Sequence, residues 1–419
     1  MRVEIVTIGS ELLLGFTTDT NAAHLARELG ASGIRVVRRG TVGDDAREIA
    51  DAVRDALERT GAVITTGGLG PTSDDMTKPA IAALFGRSLQ LDEAIVALIE
   101  RRFASLGLKG PMPLANRQQA MIPEGARVLA NRHGTAPGIW LEDDAGRWVA
   151  MLPGVPREMR GMLADTLLPL LRERAGGPRR VVRSRTVRTT GIGESALFEA
   201  LGELGRQVNG LPVAYLPGWA GVDLRLTVAD VDDAEADRVL RAAAGQLRER
   251  AGAHVYGDED DDLASVVLEQ CRGAKLRLAT AESCTGGMLG SRITAIPGSS
   301  EVYIGGVIAY ADEVKVAELG VPADALREHG AVSDVVARAM ARGARSRFGT
   351  DIGVGITGIA GPGGGSTEKP VGTVWIAVDA RDRQRSLGRV YVGDREEVRR
   401  RSCQSALDMI RRMLSDPPR

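Results

Sequence analysis

Few of the side chains that usually announce an enzyme are present. The 419 residues include four histidines, three cysteines and 3% aromatic residues, and Lys plus Arg at 54 against Asp plus Glu at 55 leaves a formal net charge of −1. Balanced charge and scarce aromatics argue against nucleic-acid binding through a basic, aromatic-studded face. Cys271, Cys284 and Cys403 lie far apart, which excludes a disulfide framework, offers no zinc spacing and fits a reducing compartment. No apolar run approaches membrane-spanning length, and residues 1–9 read directly as a strand with no apolar leader, so a soluble cytoplasmic protein without membrane partners is expected. His24, His133, His254 and His329 stand in no setting that would pair them with a nucleophile.

What is present is glycine, placed where apolar strands end. Residues 275–279 alternate like a half-buried strand, Thr280-Ala281-Glu282-Ser283-Cys284-Thr285-Gly286-Gly287 breaks the pattern, and residues 288–293 resume with helical spacing. This predicts a hydroxyl at a strand tip, with the free N–H groups of a helix start directed toward it and ready to meet an oxyanion. The next strand-like run, residues 302–310, leads into Ala311-Asp312-Glu313-Val314-Lys315. Lys315 then falls in the first turn of a helix, where the dipole disfavours an ammonium, and a neutral amine could take the Ser283 proton. Ser283 is equally open to the ordinary role of helix N-cap, and Lys315 to that of a solvated surface residue. Cys284 is the better intrinsic nucleophile, but adjacent residues leaving a strand face opposite sides, and a buried inert thiol is the commoner fate. A third segment, residues 351–366, is a glycine-rich loop between two strands, at the kind of sheet edge where open α/β folds gather ligands. No Gly-Lys-Ser/Thr follows it, so it is not a Walker loop, and a flexible turn explains its glycines as well.

Together these segments resemble the C-terminal domain of the CinA family, whose members include nicotinamide mononucleotide amidohydrolases. Ala281-Glu282-Ser283-Cys284-Thr285-Gly286-Gly287, Gly306-Val307-Ile308-Ala309-Tyr310 with Lys315, His329-Gly330-Ala331-Val332-Ser333, Gly358-Ile359-Ala360-Gly361-Pro362, Lys369-Pro370-Val371-Gly372-Thr373-Val374-Trp375 and Gly393-Asp394-Arg395 occur in the family's order. The resemblance implies that Ser283 and Lys315 are the catalytic pair, with Tyr310 and Thr357 beside the reacting amide. It further implies substrate contacts at Thr285, Gly286, Gly287, Gly358 and Gly361. Arg399 looks like a phosphate or carboxylate partner and Arg395 is the competing choice; a solvated helix face is the plainer reading of both. No cofactor is expected at this site.

The N-terminal third alternates strand, loop and helix: strands at 3–9, 34–38 and 62–66, helices at 21–29 and 46–59, which implies a parallel sheet covered by helices. Three loops converge at one edge. They carry Ser10 and Glu11, Asp44, and Thr66-Gly67-Gly68-Leu69-Gly70-Pro71-Thr72-Ser73-Asp74-Asp75. N–H groups of Gly67, Gly68 and Gly70, with Thr72, could line a phosphate, while Glu11, Asp44, Asp74 and Asp75 suit Mg²⁺ or a similar divalent metal; either Asp74 or Asp75 could instead cap the following helix. These residues, with Asn116-Arg117-Gln118-Gln119-Ala120, Gly134-Thr135-Ala136-Pro137-Gly138 and Leu152-Pro153-Gly154, resemble the molybdopterin-binding (MoaB/MogA-like) domain at the front of CinA proteins, some of which hydrolyse ADP-ribose there with divalent metal.

Between them, an arginine-rich strand at 179–188, a helix at 194–204, a strand at 222–229 and a helix at 233–250 read as a small α+β module, which the resemblance implies has KH-type topology. The Gly-X-X-Gly clamp of RNA-binding KH domains is missing, so a spacer or dimerisation element is expected, with the arginines on one solvated face. Asp258-Glu259-Asp260-Asp261-Asp262 reads as a linker that caps the next helix. The expected fold class is α/β in three parts: residues 1–172, a parallel-sheet nucleotide or pyrophosphate site; 173–257, the KH-type linker; and 258–419, the amidohydrolase. Nicotinamide mononucleotide and ADP-ribose are the expected small-molecule partners, a homodimer the expected assembly. The alternatives are a pterin- or nucleotide-binding protein without turnover and an accessory factor in DNA uptake or recombination.

Overall fold

The computed structural model describes residues 1–105, 112–176, 180–380 and 383–415. They divide into two compact units, 1–183 with 228–238, and 184–227 with the chain from 239 onward.

The first unit runs β1 (Arg2–Ile8), α1 (Ser10–Leu13), α2 (Asn21–Ala31), β2 (Arg35–Val42), α3 (Ala46–Thr60), β3 (Ala62–Thr66), α4 (Thr77–Leu84), β4 (Leu89–Leu91), α5 (Glu93–Ser105), β5 (Met121–Pro123), β6 (Arg127–Leu129), β7 (Gly138–Glu142), β8 (Trp148–Leu152), α6 (Pro156–Met162) and α7 (Leu168–Ala175). Its main sheet has the order β2-β1-β3-β8-β7-β6. Alternation along β1 sends Val3 and Ile5 to a core with Leu25 and Leu29 of α2, and Val6 and Ile8 to another with Ile49 and Val53 of α3. α3 starts where the Asp45 carboxylate accepts the Arg47 and Glu48 N–H groups and stops at Gly61 with φ of 71°. The expectation of a parallel sheet needs correction: β2, β1, β3 and β8 are parallel, but β7 runs the other way and pairs antiparallel with both β8 and β6. The turn from Asp143 to Gly146 explains this, because a connection that short can only reverse the chain.

The next elements are β9 (Arg180–Thr189), α8 (Glu194–Leu201), β10 (Gln207–Val208), β11 (Leu211–Pro217), β12 (Val222–Asp232), α9 (Asp233–Ala251) and β13 (Val255–Asp258), in a sheet of order β10-β11-β12-β9-β13. Arg179, expected to open the first of these strands, lies outside the described residues. The strand arginines are paired rather than simply solvated: Arg183 with Asp233, Arg188 with Asp223.

The C-terminal part comprises α10 (Leu263–Gly273), β14 (Leu278–Glu282), α11 (Met288–Thr294), β15 (Tyr303–Ile308), α12 (Asp312–Leu319), α13 (Ala323–His329), α14 (Asp334–Phe348), β16 (Ile352–Gly358), β17 (Thr373–Ala380), β18 (Arg383–Val390) and α15 (Arg395–Ser415). Asp262 caps α10 through the Ala264 N–H, the role expected of the acidic linker. The sheet order is β15-β14-β16-β17-β18, the first three strands parallel and the last two antiparallel. Glycine at 353 and 355 lets α14 lie against β16: an added Cβ would stand 2.1 Å from Ala341 O and 2.3 Å from Ala337 O. Among the described residues, no helix is long and apolar enough to cross a membrane.

Candidate functional site

The parallel strands of the C-terminal sheet end on one side, and the chemistry-bearing residues gather there. Ser283 follows β14 directly, and its N–H donates to Ile356 O at 2.9 Å, so the β14–β16 ladder continues to the serine and sets it at the register of Thr357. On the other flank Ala309 N donates to Glu282 O at 2.8 Å, bringing the end of β15, with Tyr310 after it, alongside. Thr357 Oγ1 donates to Ala331 O at 2.8 Å and Lys369 Nζ to His329 O at 2.8 Å, which ties the 329–333 segment to this edge. Both arginines reach it from the first turns of α15. Arg395 donates to Gly361 O at 2.6 Å and to Tyr310 Oη at 3.2 Å, and Arg399 donates to Thr285 O at 2.9 Å and Glu396 at 3.2 Å. Neither is a plain solvated face. Gly361 has φ of 86°, whereas Gly358 packs tightly on Thr373 and Val374, so its lack of a side chain serves strand packing.

The turn after the serine differs from expectation. Residues 284–287 form a turn with Gly286 and Gly287 at φ of 58° and 90°, and α11 begins only at Met288, so Ser283 is not its N-cap. The first N–H groups of α11 are not open to an oxyanion either: Glu282, 2% exposed, accepts from Leu289 at 3.0 Å and Gly290 at 2.8 Å. The N–H groups of Thr285 and Gly287 in the turn itself have no protein acceptor among the described residues. Lys315 is not a surface residue. It is 1% exposed, and its Nζ lies 2.9 Å from Asp312 Oδ1 and 3.3 Å from Tyr310 O. The amine therefore lies against a carboxylate and a carbonyl three and five residues before it, not alone as the helix position suggested.

In the first unit the three expected loops line a cleft of about 620 Å³, within the size range of small-molecule sites. Its walls include Glu11, Asp44, Gly67, Gly68, Gly70, Asp74 and Asp75, with Asn21, Gln119, Gly154 and Glu158. Several expected roles change. Ser10 and Thr72 are not in the wall; Ser10 N donates to Asp44 at 2.8 Å, and Thr72 N to Asp75 at 2.8 Å. Gly67 N donates to Leu152 O at 3.1 Å and Gly70 N to Asp75 at 2.6 Å, which leaves Gly68, of the three, without a protein acceptor for its N–H among the described residues. The glycines are dictated by folding: a Cβ on Gly67 would stand 2.0 Å from Ile8 O, and one on Gly68 2.2 Å from Thr77 Oγ1. Glu11, Asp44, Asp74 and Asp75 face one cleft, yet among the described residues no three acidic, histidine or cysteine side chains converge to hold a metal ion. Asp44 and Asp75 already accept from backbone donors.

Relatives of the chain span both units. A "CinA-like protein" of Gemmatimonas aurantiaca is 63% identical over 99% of this chain and 97% of its own length, and one of Gloeobacter violaceus is 44% identical over 98% and 96%. The chain belongs to the CinA family. In this CinA-family chain, residues 4–173 match the family described as probable molybdopterin binding domain, 184–257 the damage-inducible protein CinA KH domain, and 260–414 the CinA C-terminal domain. The crystal structure of a competence/damage inducible protein from Agrobacterium tumefaciens is 40% identical, covering 37% of this chain and 94% of that one, with a TM-score of 0.36.

The alternative nucleophile of this CinA-family chain, Cys284, packs into the hydrophobic core with Cys403, and burial pushes its thiol up to about 12. Lys78 is a residue that pattern reading missed, since a lysine early in a helix carries no signal of burial. It is 2% exposed, donates to Gln118 O at 2.6 Å and Gln119 O at 3.1 Å, and so holds one wall of the cleft. Burial lowers its pKa to about 8, opposed by Asp75. With the folded value below the unfolded one, the unfolded chain binds the extra proton between about pH 8 and 10.5, so this residue makes the first unit more stable as pH rises through that window. Comparing urea unfolding of the wild type and Lys78→Met at pH 7.5 and 10, the wild type should gain about 2 kcal/mol relative to the variant. Equal pH responses would remove the buried ammonium from the account.

Proposed function

We propose that the C-terminal domain hydrolyses the carboxamide of nicotinamide mononucleotide, with Ser283 as nucleophile and Lys315 as the proton carrier. The observation that carries this reading is the convergence of Ser283, Thr357, Tyr310, Arg395 and Arg399 at the carboxyl ends of β14, β15 and β16. The Ser283 oxygen bonds to the carboxamide carbon as its proton passes to an unprotonated Lys315; Asp312 and Tyr310 O hold the ammonium so formed. The unpartnered N–H groups of Thr285 and Gly287 in the 284–287 turn are the donors nearest in sequence for the oxyanion. Lys315 returns the proton to the departing nitrogen, the C–N bond breaks, and ammonia leaves. Water then adds to the acyl ester, giving its proton to Lys315, and Ser283 is released with nicotinic acid mononucleotide. Arg395 or Arg399 receives the 5′-phosphate. Incubating the full chain with nicotinamide mononucleotide should yield ammonia and nicotinic acid mononucleotide in equal amounts; folded protein that yields neither defeats the reading.

For the N-terminal cleft we propose binding of a nucleotide pyrophosphate of the ADP-ribose class. Its volume and the Gly68 N–H support this, while its acids require that a cation arrive with the nucleotide, because like charges would otherwise repel. Titrating the full chain with ADP-ribose should show binding that Mg²⁺ strengthens, and AMP release in the same mixture distinguishes cleavage from binding alone. Absence of binding with and without Mg²⁺ counts against the proposal.

A further inference from the structure

The KH-type module has no assigned task in the proposed chemistry, yet one of its hairpin tips is built into the frame that holds Ser283. β11 and β12 are joined through Gly218-Trp219-Ala220-Gly221, closed by Gly218 N donating to Gly221 O at 2.8 Å. Gly221 permits this tip to lie against the sheet, since a Cβ there would stand 1.9 Å from Thr189 O. Two guanidiniums lie over the Trp219 indole: Arg292 of α11, 5.1 Å from the ring centre, and Arg400 of α15, 5.9 Å.

Each of these arginines continues into a bonded path. Arg292 pairs with Asp262 at 3.0 Å and donates to Gln404 Oε1 at 2.7 Å; buried Gln404 donates in turn to Thr190 Oγ1 at 3.2 Å, and Thr190 donates to Ala220 O at 2.8 Å, which returns to the same hairpin. Arg400 bonds Glu396 Oε1 at 3.0 Å, and the other oxygen of that carboxylate accepts from Arg399, whose second amine bonds Thr285 O in the turn after Ser283. Two like charges brought to one ring hold their places only while the indole face and the two carboxylates offset their repulsion. The indole thus links the two helices that flank the serine turn, α11 behind it and α15 in front.

We propose that Trp219 is a positioning residue for the Ser283 site: through Arg400, Glu396 and Arg399 it sets the turn at residues 284–287 and the arginine aimed at the substrate phosphate. The substrate assignment within this proposal rests on the amidohydrolase reading above, whereas the positioning of the turn does not.

The test uses the full chain as wild type, Trp219→Ala and Trp219→Phe, with two readouts. In hydrogen exchange, Trp219→Ala should speed exchange of peptides covering residues 283–290 and the first turns of α15 by about tenfold, leaving α14 and β16–β18 unchanged. In the ammonia assay the same variant should raise KM for nicotinamide mononucleotide about tenfold with kcat within a factor of two, and Trp219→Phe, which keeps an aromatic face, should restore most of both. Unchanged exchange at 283–290, or faster exchange spread evenly over the whole unit, overturns the positioning role. So does a Trp219→Phe variant as impaired as Trp219→Ala. A wild type inert toward nicotinamide mononucleotide sinks the substrate reading while the exchange comparison still decides the role of Trp219.

Discussion

Ammonia release from nicotinamide mononucleotide is expected to fall by about four orders of magnitude or more in Ser283→Ala, while the variant unfolds at the same urea concentration as the wild type. The stability expectation follows from the fold: the serine is held by its backbone N–H to Ile356 O, a bond that alanine keeps. The catalytic expectation follows from the absence of a substitute. Cys284, next along the chain, is turned into the core with a thiol raised by burial, so it cannot replace the hydroxyl, and Cys284→Ala should retain turnover within a few fold. Lys315→Met separates the base from the frame, because methionine fills the buried space of the lysine stem but carries no proton; turnover near background with folding intact is expected. Full activity in Ser283→Ala, or its complete loss in Cys284→Ala, reverses the assignment.

The second large effect is structural. Glu282→Ala should destabilise the C-terminal unit by about 3 to 5 kcal/mol, the cost of removing one member of a buried charge-assisted network, and Glu282→Gln by clearly less. The carboxylate is the N-terminal anchor of α11, joining β14 to a helix of only seven residues whose own propensity is weak. Alanine leaves the Leu289 and Gly290 N–H groups buried without an acceptor, whereas glutamine keeps one carbonyl oxygen for them. Urea unfolding followed by circular dichroism measures the difference, and a loss under 1 kcal/mol for Glu282→Ala would show that the helix start is held by something else.

These two residues also mark how far pattern reading carries. Periodicity and the glycines located the strand, the serine and the following helix, with β14 three residues later than the alternation suggested, because Lys275 takes φ of 56° ahead of the strand. They did not show that the helix begins five residues past the serine or that a glutamate consumes its free donors, since capping from the preceding strand requires knowing where both elements lie in space. α14 and β18 were also missed. The Asp334–Phe348 segment has a helical stripe, Val336, Ala337, Met340, Ala341 and Ala344, but one built mainly of alanines, and Arg383–Val390 is an edge strand rich in arginine with no strong period.

Local sequence determined the order of elements, the family, and which residue types stand at which strand ends, because hydrophobic period, turn glycines and short motifs are properties of neighbouring residues. Tertiary structure alone decided the electrostatic partners. Arg395 and Arg399 swing from α15 onto the loops around Ser283, two acids of the N-terminal cleft, Asp44 and Asp75, accept from backbone donors, and the tryptophan of the KH-type hairpin comes to rest on arginines of two other helices. Such pairings join residues up to about two hundred positions apart, and their energies depend on burial and distance, quantities that arise only once the chain has folded.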